Sequence, residues 1–442
     1  NTSGMSCDFP WLQSLKSRSL RQTRGGSEPA FRFYQLYDKV YREDILRHAY
    51  RLARANAGIP GVDGVDFAQI EEEGLEAWLA GLAEELASKT YRPESVLRVM
   101  IPKPDGGERP LGIPTIRDRV VQTAAKLVLE PIFEADFEDN AYGYRPGRGA
   151  VDAVKQVHQH ICRGYTDVVD ADLSSYFDSI PRGDLLKSVA RRIADAQMLR
   201  LIKLWLKAPI EERGGNGKRR ITGGKGNSRG TPQGGVISPL LANIYMNRFL
   251  KYWRVSGCVE VFQAHVVAYA DDSVILSRGR ADEAMAWTKA VMMRLALTLN
   301  EAKTSLKDAR KERFDFLGYT FGPHVFKANG HRYLSASPSK KSVRRLKMNV
   351  RRLLASGNHA PWDEVCDELN RVLYGWSNYF GYGTRSQMFR AVDHFVYERA
   401  RDFLARRHKV AGRGTRRFSL EVVYGNLGLT RLERLPCRAP PC

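Results

Sequence analysis

The sequence predicts an α+β fold, and three observations predict it. Residues 166–173 (TDVVDADL) alternate with period two, as a half-buried strand does. Residues 259–278 place two apolar strand-like runs on either side of paired aspartates. Near 335–340 the composition changes, and beyond it the chain reads as helical, basic and aromatic to about residue 409. With 442 residues, 43% of them hydrophobic, the chain can bury several cores, and two to four domains are expected.

The elements follow in order. YREDILRHAYRLARANAG places Ile45, Ala49 and Leu52 on one helical face, ends at Gly58 and leads into the turn-rich PGVDGVD. LRVMIPK (97–103) reads as a short strand, DGGERP as a Gly-rich turn, and DRVVQTAAKLVLEPIF as a helix. EERGGNGKRRITGGKGNSRG (211–230) is rich in Gly, Lys and Arg and reads as a surface excursion. An apolar helix over 236–253 precedes the expected hairpin at 259–278. Asp282 then reads as the cap of the next helix and Asn300 as its close. In KKSVRRLKMNVRR (340–352), a helix puts Val343, Leu346, Val350 and Leu353 on one stripe and Lys340, Arg344, Lys347 and Arg351 on another. That segment has seven cations and no acid, so pairing within the helix does not explain it. In LYGWSNYFGYG, Trp376, Tyr379 and Phe380 read as packing residues of a helical bundle.

Charge narrows the function classes. Lys and Arg total 70 against 49 acids, a net +21, which points to a polyanionic partner, and nothing lipid-binding accompanies it. No run of about 18 apolar residues marks a membrane span, and no secretion signal is evident. Cys7, Cys162, Cys258, Cys366, Cys437 and Cys442 are scattered with no CxxC pair, so free thiols in a reducing cytoplasm are expected and a zinc site is not.

The sharpest local signal is Tyr269-Ala270-Asp271-Asp272 between two apolar strands. Adjacent aspartates there are either a solvated turn or the ligands of a hard cation, which needs oxygen donors and neutralises their repulsion. About 100 residues earlier, Asp170 and Asp172 share one face of a strand while Val169, Ala171 and Leu173 share the other. If the two strands are neighbours, their carboxylates converge. That arrangement suits two Mg2+ ions about 3.5–4 Å apart, clamping the attacking and leaving oxygens of an in-line phosphoryl displacement.

In order and spacing, IPKPDGGERPLGIPTIRDRVVQ, YGYRPGRGAVDAV, DADLSSYFDSI, GTPQGGVISPLLANIY, AYADDSVIL, LNEAKTSL and FDFLGYTF resemble the successive sequence blocks of group II intron reverse transcriptases. VYREDILRHAYRLARANAGIPGVDGV is similar to that family's N-terminal extension, and the likeness covers about residues 36–420.

The resemblance implies a right-hand polymerase: fingers, a palm with a small antiparallel sheet backed by helices, a helical thumb and a basic appendage. In this chain it implies an N-terminal segment over 1–35, extension and fingers over 36–165, palm over 166–335, thumb or maturase domain over 336–405, and a DNA-binding extension over 406–442. It implies metal ligation by Asp172, Asp271, Asp272 and the Leu173 carbonyl, with two Mg2+ ions for which Mn2+ can substitute. Asp170 and Asp178 are expected to cap or hydrogen-bond locally instead. Phe177 is the implied gate that selects dNTP over rNTP, with Tyr176 packing on the opposite face. Lys103, Arg109 and Gln233 are the implied nucleotide contacts. Arg117, Tyr144 and Arg145 are implied at the template or primer backbone, and Lys340, Arg344, Lys347 and Arg351 at the template–primer duplex and intron RNA. Arg413, Arg416 and Arg417 lie in RRHKVAGRGTRR, which suits sequence-independent phosphate contacts to target DNA.

The implied activity is RNA-directed DNA synthesis from dNTPs on an RNA template with a DNA primer, together with help in splicing and mobility of a group II intron, in a bacterial cytoplasm. Paired cysteines of the C-terminal endonuclease found in many members are missing here, so second-strand cleavage is not expected. Two other readings stand beside this one: a domesticated enzyme of the same type in DNA repair or phage defence, and a splicing chaperone that only binds RNA. Carboxylates facing a polyanion argue against the chaperone.

Overall fold

A computed structural model describes residues 32–102, 107–213, 219–223, 226, 228–302, 304–326 and 329–435. Three helices come first: α1 (Tyr37–Val40), α2 (Glu43–Ala55) and α3 (Phe67–Ala87). Asp66 caps α3 by accepting from the Gln69 N–H, and Gly74, at φ +110°, breaks it midway. Strands β1 (Val96–Pro102) and β2 (Glu108–Ile113) form an antiparallel hairpin, followed by α4 (Ile116–Glu134) and α5 (Ala150–Cys162). Next come β3 (Asp167–Asp172), α6 (Tyr176–Ser179), α7 (Arg182–Ala190) and α8 (Ala196–Leu206).

Residues 211–230 are not only a surface excursion. β4 (Pro209–Arg213) runs parallel to β1, and β5 (Arg219–Gly223) pairs antiparallel with β4, giving a sheet ordered β2-β1-β4-β5. Arg98 on β1 and Glu212 on β4 form an ion pair at 2.8 Å. The strand partner lies more than a hundred residues upstream, so local composition cannot announce it.

α9 (Ser238–Val255) and α10 (Cys258–Val261) lead into β6 (Ala264–Tyr269) and β7 (Asp272–Ser277). The hairpin is therefore shorter than expected, because residues 258–261 make a helical turn. α11 (Ala281–Arg294) carries Asp282 inside its first turn and ends six residues before Asn300, so neither residue caps it as expected. With β8 (Ser305–Asp308), the central sheet is ordered β6-β7-β3-β8 and is antiparallel throughout. β9 (Phe314–Phe316), β10 (Tyr319–Val325) and β11 (Arg332–Pro338) form a third sheet.

The central sheet packs against a core on both sides, whereas the period-two pattern of β3 predicts burial of one face only. Val169, Ala171 and Leu173 enter the main core with α4, α8 and α9, while Val168 joins Val267, Val274, Phe314 and Phe321 under the third sheet. Asp170 and Asp172 share the face of Val168 and are half-buried.

α12 (Lys340–Leu353), α13 (Trp362–Tyr379) and α14 (Ser386–Arg407) form a second core. Val343, Leu346, Val350 and Leu353 are buried, each worth about 1.5–3 kcal/mol of transfer from water. Residues beyond α14 turn back, and Phe418, Val423, Leu429 and Leu432 enter the same cluster.

Candidate active site

The end of β3 meets the start of β7, where Asp172 lies opposite Asp272 as the last pair of their ladder. Backbone bonds fix which kind of pair this is. The Asn300 N–H donates to the Asp172 carbonyl at 2.8 Å, and the Ser174 N–H to the Thr298 carbonyl at 2.9 Å. The Asp172 amide and carbonyl therefore point toward residues 298–300, so Asp172 and Asp272 form a non-hydrogen-bonded pair. In such pairs the Cα atoms approach to about 4.5 Å and the side chains lie closest. Like charges directly opposite each other are destabilising there unless something neutralises them.

Asp271 sits beside Asp272 at the hairpin tip. By the same alternation the Leu173 carbonyl points toward β7, and past the end of the ladder it accepts no backbone bond among the described residues. These are hard oxygen donors, a set that fits a divalent cation. Among the described residues no three acidic, histidine or cysteine side chains are placed to hold a metal ion by themselves. An open set of this kind suits a cation that keeps water and substrate oxygens among its ligands.

The turn itself is constrained. Ala270 adopts φ +58°, a left-handed conformation that costs a non-glycine residue roughly 1–2 kcal/mol. It is held from outside by residues 140–144. The Tyr142 N–H donates to the Ala268 carbonyl at 2.8 Å, and the Ala268 N–H to the Asn140 carbonyl at 2.9 Å. Gly143 lies directly on the turn: a Cβ there would overlap the Ala270 backbone nitrogen. The Asn243 amide fixes the Gly143 carbonyl at 2.7 Å. Tyr144, at φ +56° and 47% exposed, is thereby presented edge-on to Phe177, with ring centroids 6.4 Å apart. Burial, with the nearby Asp271 charge, raises the Tyr144 phenol above its usual range.

Phe177 is buried but for 5% of its surface. Its carbonyl accepts from the Thr231 N–H at 2.8 Å. Tyr176 is buried and donates its hydroxyl to the Ala242 carbonyl at 2.7 Å. Arg109 donates Nε–H to Gln233 Oε1 at 3.0 Å, and Gln233 Nε2 donates to Asp178 at 3.3 Å. Gly234, at φ +104°, lets this segment turn against Gly112. Burial raises the Asp178 carboxyl, opposed by Arg98 and Arg109; Asp170 is also raised by burial, opposed by Lys307. Lys103 lies outside the described residues.

Two expected nucleic-acid contacts are elsewhere. Arg117 is engaged with Glu85 and the Arg92 carbonyl and lies over the Tyr91 ring. Arg145 is 7% exposed, bridges Glu134 and donates to the carbonyls of Glu138 and Ala141. Both guanidiniums are consumed by the fold. By contrast, Lys340, Arg344 and Arg351 are exposed on α12, with Lys347 half-buried. Lys347 and Arg351 flank the Phe395 ring at 4.9 and 5.4 Å. Arg413, Arg416 and Arg417 are exposed beyond α14. Asn300 was missed as a neighbour of the carboxylates: besides its backbone bond, its side-chain amide reaches Asp172 Oδ2 at 3.4 Å. The LNEAK block was its only signal.

Residues 101–321 match the family described as reverse transcriptase (RNA-dependent DNA polymerase), and residues 343–419 match the group II intron maturase-specific domain. The chain belongs to the reverse transcriptases, and within them to those that carry the group II intron maturase domain. It is 32% identical to protein YkfC of Escherichia coli K12 over 72% of this chain and 91% of that protein. It is 34% identical to the group II intron-encoded protein LtrA of Lactococcus lactis over 50% of this chain and 35% of that one. A 91 kDa protein in the cob intron of Schizosaccharomyces pombe is 23% identical over 81% of this chain and 52% of its own length. The chain thus spans most of the first relative and about a third to a half of the other two. The α+β architecture is that of a right-hand polymerase. No helix among the described residues is long and apolar enough to cross a membrane.

Proposed function

We propose that this chain extends a DNA primer on an RNA template, with dNTPs as substrates, by nucleotidyl transfer at the open end of β3 and β7. The observation that carries the proposal is the closest-approach pairing of Asp172 with Asp272, next to Asp271. Those three carboxylates and the Leu173 carbonyl would hold two Mg2+ ions, or Mn2+ in their place. When bound, the cations supply charge neutralisation for the attacking 3′-oxygen and the leaving phosphate.

The chain's own residues do the rest. Phe177, rigid and buried beneath Tyr144, closes the floor on which the sugar rests and leaves no room for a 2′-hydroxyl. Arg109 meets the triphosphate, as does Lys103. Gln233 lines the wall beside Arg109. The α12 cations Lys340, Arg344, Lys347 and Arg351 grip the template–primer duplex and a structured intron RNA whose splicing the chain assists. Arg413, Arg416 and Arg417 contact phosphates of the DNA target.

Primer extension on an RNA template with dNTPs and Mg2+, run beside filter binding of a structured RNA, tests this. Asp271→Ala/Asp272→Ala should lower extension by at least ~10³-fold and leave RNA binding within twofold, because these carboxylates act on the transition state. A folded, RNA-binding wild type that extends no primer would sink the polymerase proposal and leave an RNA-binding splicing factor.

A further inference from the structure

We infer that Asp178 is a positioning residue for the incoming nucleotide: it fixes the Gln233 amide and, through it, the Arg109 guanidinium before substrate arrives. The inference rests on the nucleotide pocket proposed above.

Hydrogen-bond chemistry makes the chain one-directional. A guanidinium only donates and an ionised carboxylate only accepts, so an amide between them has one correct orientation, with oxygen toward Arg109 and nitrogen toward Asp178. The backbone of each member is held independently. The Gln233 carbonyl accepts from the Gly112 N–H at 2.5 Å, tying the amide-bearing segment to β2, the strand that carries Arg109. On the other side, Thr231 and Gly230 donate to the carbonyls of Phe177 and Ile180, both at 2.8 Å. Residues 177–181 and 228–231 are therefore zipped together. Asp178 follows the aromatic floor directly and shares its rigidity.

The charge pattern needs a reason of this kind. Asp178 is the acid among the described residues lining a cavity of about 210 Å³, whose cations are Arg98, Arg182 and Arg229. A carboxylate beside an arginine proposed to meet a triphosphate opposes binding unless it organises groups that bind it. Asp178 does so: it faces Arg98 and Arg109 and holds the amide that Arg109 rests on. When phosphates draw Arg109 away, Gln233 stays tethered, so its free oxygen keeps its place in the wall.

Asp178→Asn keeps the shape but presents either oxygen or nitrogen to Gln233, so the amide is free to flip. Loss of one fixed hydrogen bond predicts a KM for dNTP raised ~10-fold with kcat held within ~2-fold. Thermal stability should stay near wild type. Gln233→Ala should raise KM as well, and the double variant should match Gln233→Ala alone, because both changes cut the same link. Titration calorimetry of dNTP into the free chain with Mg2+ should show the same weakening without turnover. Unchanged KM and binding in Asp178→Asn would overturn the inference, as would additive effects in the double variant. A kcat loss above ~100-fold with an altered Mg2+ requirement would make Asp178 a metal ligand instead. A wild type that fails to extend primers counts against the polymerase proposal, while calorimetry still decides on Asp178.

Discussion

Among the described residues, fully buried arginines occur in the sheet-bearing half of this molecule and not in the helical half. In the sheet-bearing part, buried Arg119, Arg145 and Arg182 donate to carbonyls and acids of the fold, and buried Arg192 is ion-paired with Asp136. In the helical part, no arginine among the described residues is buried; Arg344, Arg351 and Arg399 lie on the surface of α12 and α14. A guanidinium's five fixed donors suit both tasks: satisfying stranded backbone carbonyls inside, and meeting phosphates outside. A net charge of +21 therefore overstates the surface available to a polyanion, and the excess is concentrated where the helices are.

The comparison breaks hardest at Arg145. Arg145→Ala leaves the half-buried Glu134 without its partner, and about 3 kcal/mol of stability should be lost, seen as a lowered denaturant midpoint. An unchanged midpoint would return Arg145 to the surface cations.

Buried acids sharpen the same contrast through pH. Burial raises Asp118 to about 6 from its ordinary 3.8, outweighing its bonds from Tyr91 and Glu94. The folded chain then holds more protons than the unfolded chain between those values. Stability is fullest below about pH 4 for this group and falls as pH rises through 6, by on the order of 2–3 kcal/mol. Asp118→Asn should flatten that segment of the pH–stability curve; an unaltered slope would deny the assignment.

Gly143→Ala probes packing rather than charge. The added methyl meets the Ala270 backbone, and about 1–3 kcal/mol of overpacking strain with slowed extension is expected. Normal extension and melting would mean the turn relaxes freely. Least costly to the fold is the fourfold change Lys340→Gln, Arg344→Gln, Lys347→Gln and Arg351→Gln. It should weaken RNA binding ~10–100-fold and flatten its salt dependence. Thermal stability should barely move, because the buried stripe of α12 is untouched. A collapse of stability here would show that these cations serve the fold after all.

Period-two patterning made the site's frame legible. Asp170 and Asp172 fell on one face of β3, and the aspartate pair fell at a hairpin tip, because both follow from local alternation. The stripe on α12 was equally plain, since four apolar residues at helical spacing admit one docking face. What was not legible depended on distant partners. Nothing near Arg117 or Arg145 reveals that Glu85 and Glu134 wait for them. β4 and β5 hide behind a Gly- and Arg-rich composition because their pairing strand is β1. Asn300 looked like the end of a helix because Asn often is one; its bond to Asp172 arises only once residues 298–300 lie along β3.

Gly143 gives the site a property that no single residue has. With no side chain between them, the segment bearing Tyr144 and the turn bearing Asp271 and Asp272 rest backbone on backbone and share one chassis. The main chains that carry the aromatic edge and the carboxylates are therefore spaced by backbone contact, and only the rotamers of Tyr144, Asp271 and Asp272 are left to set the final distance.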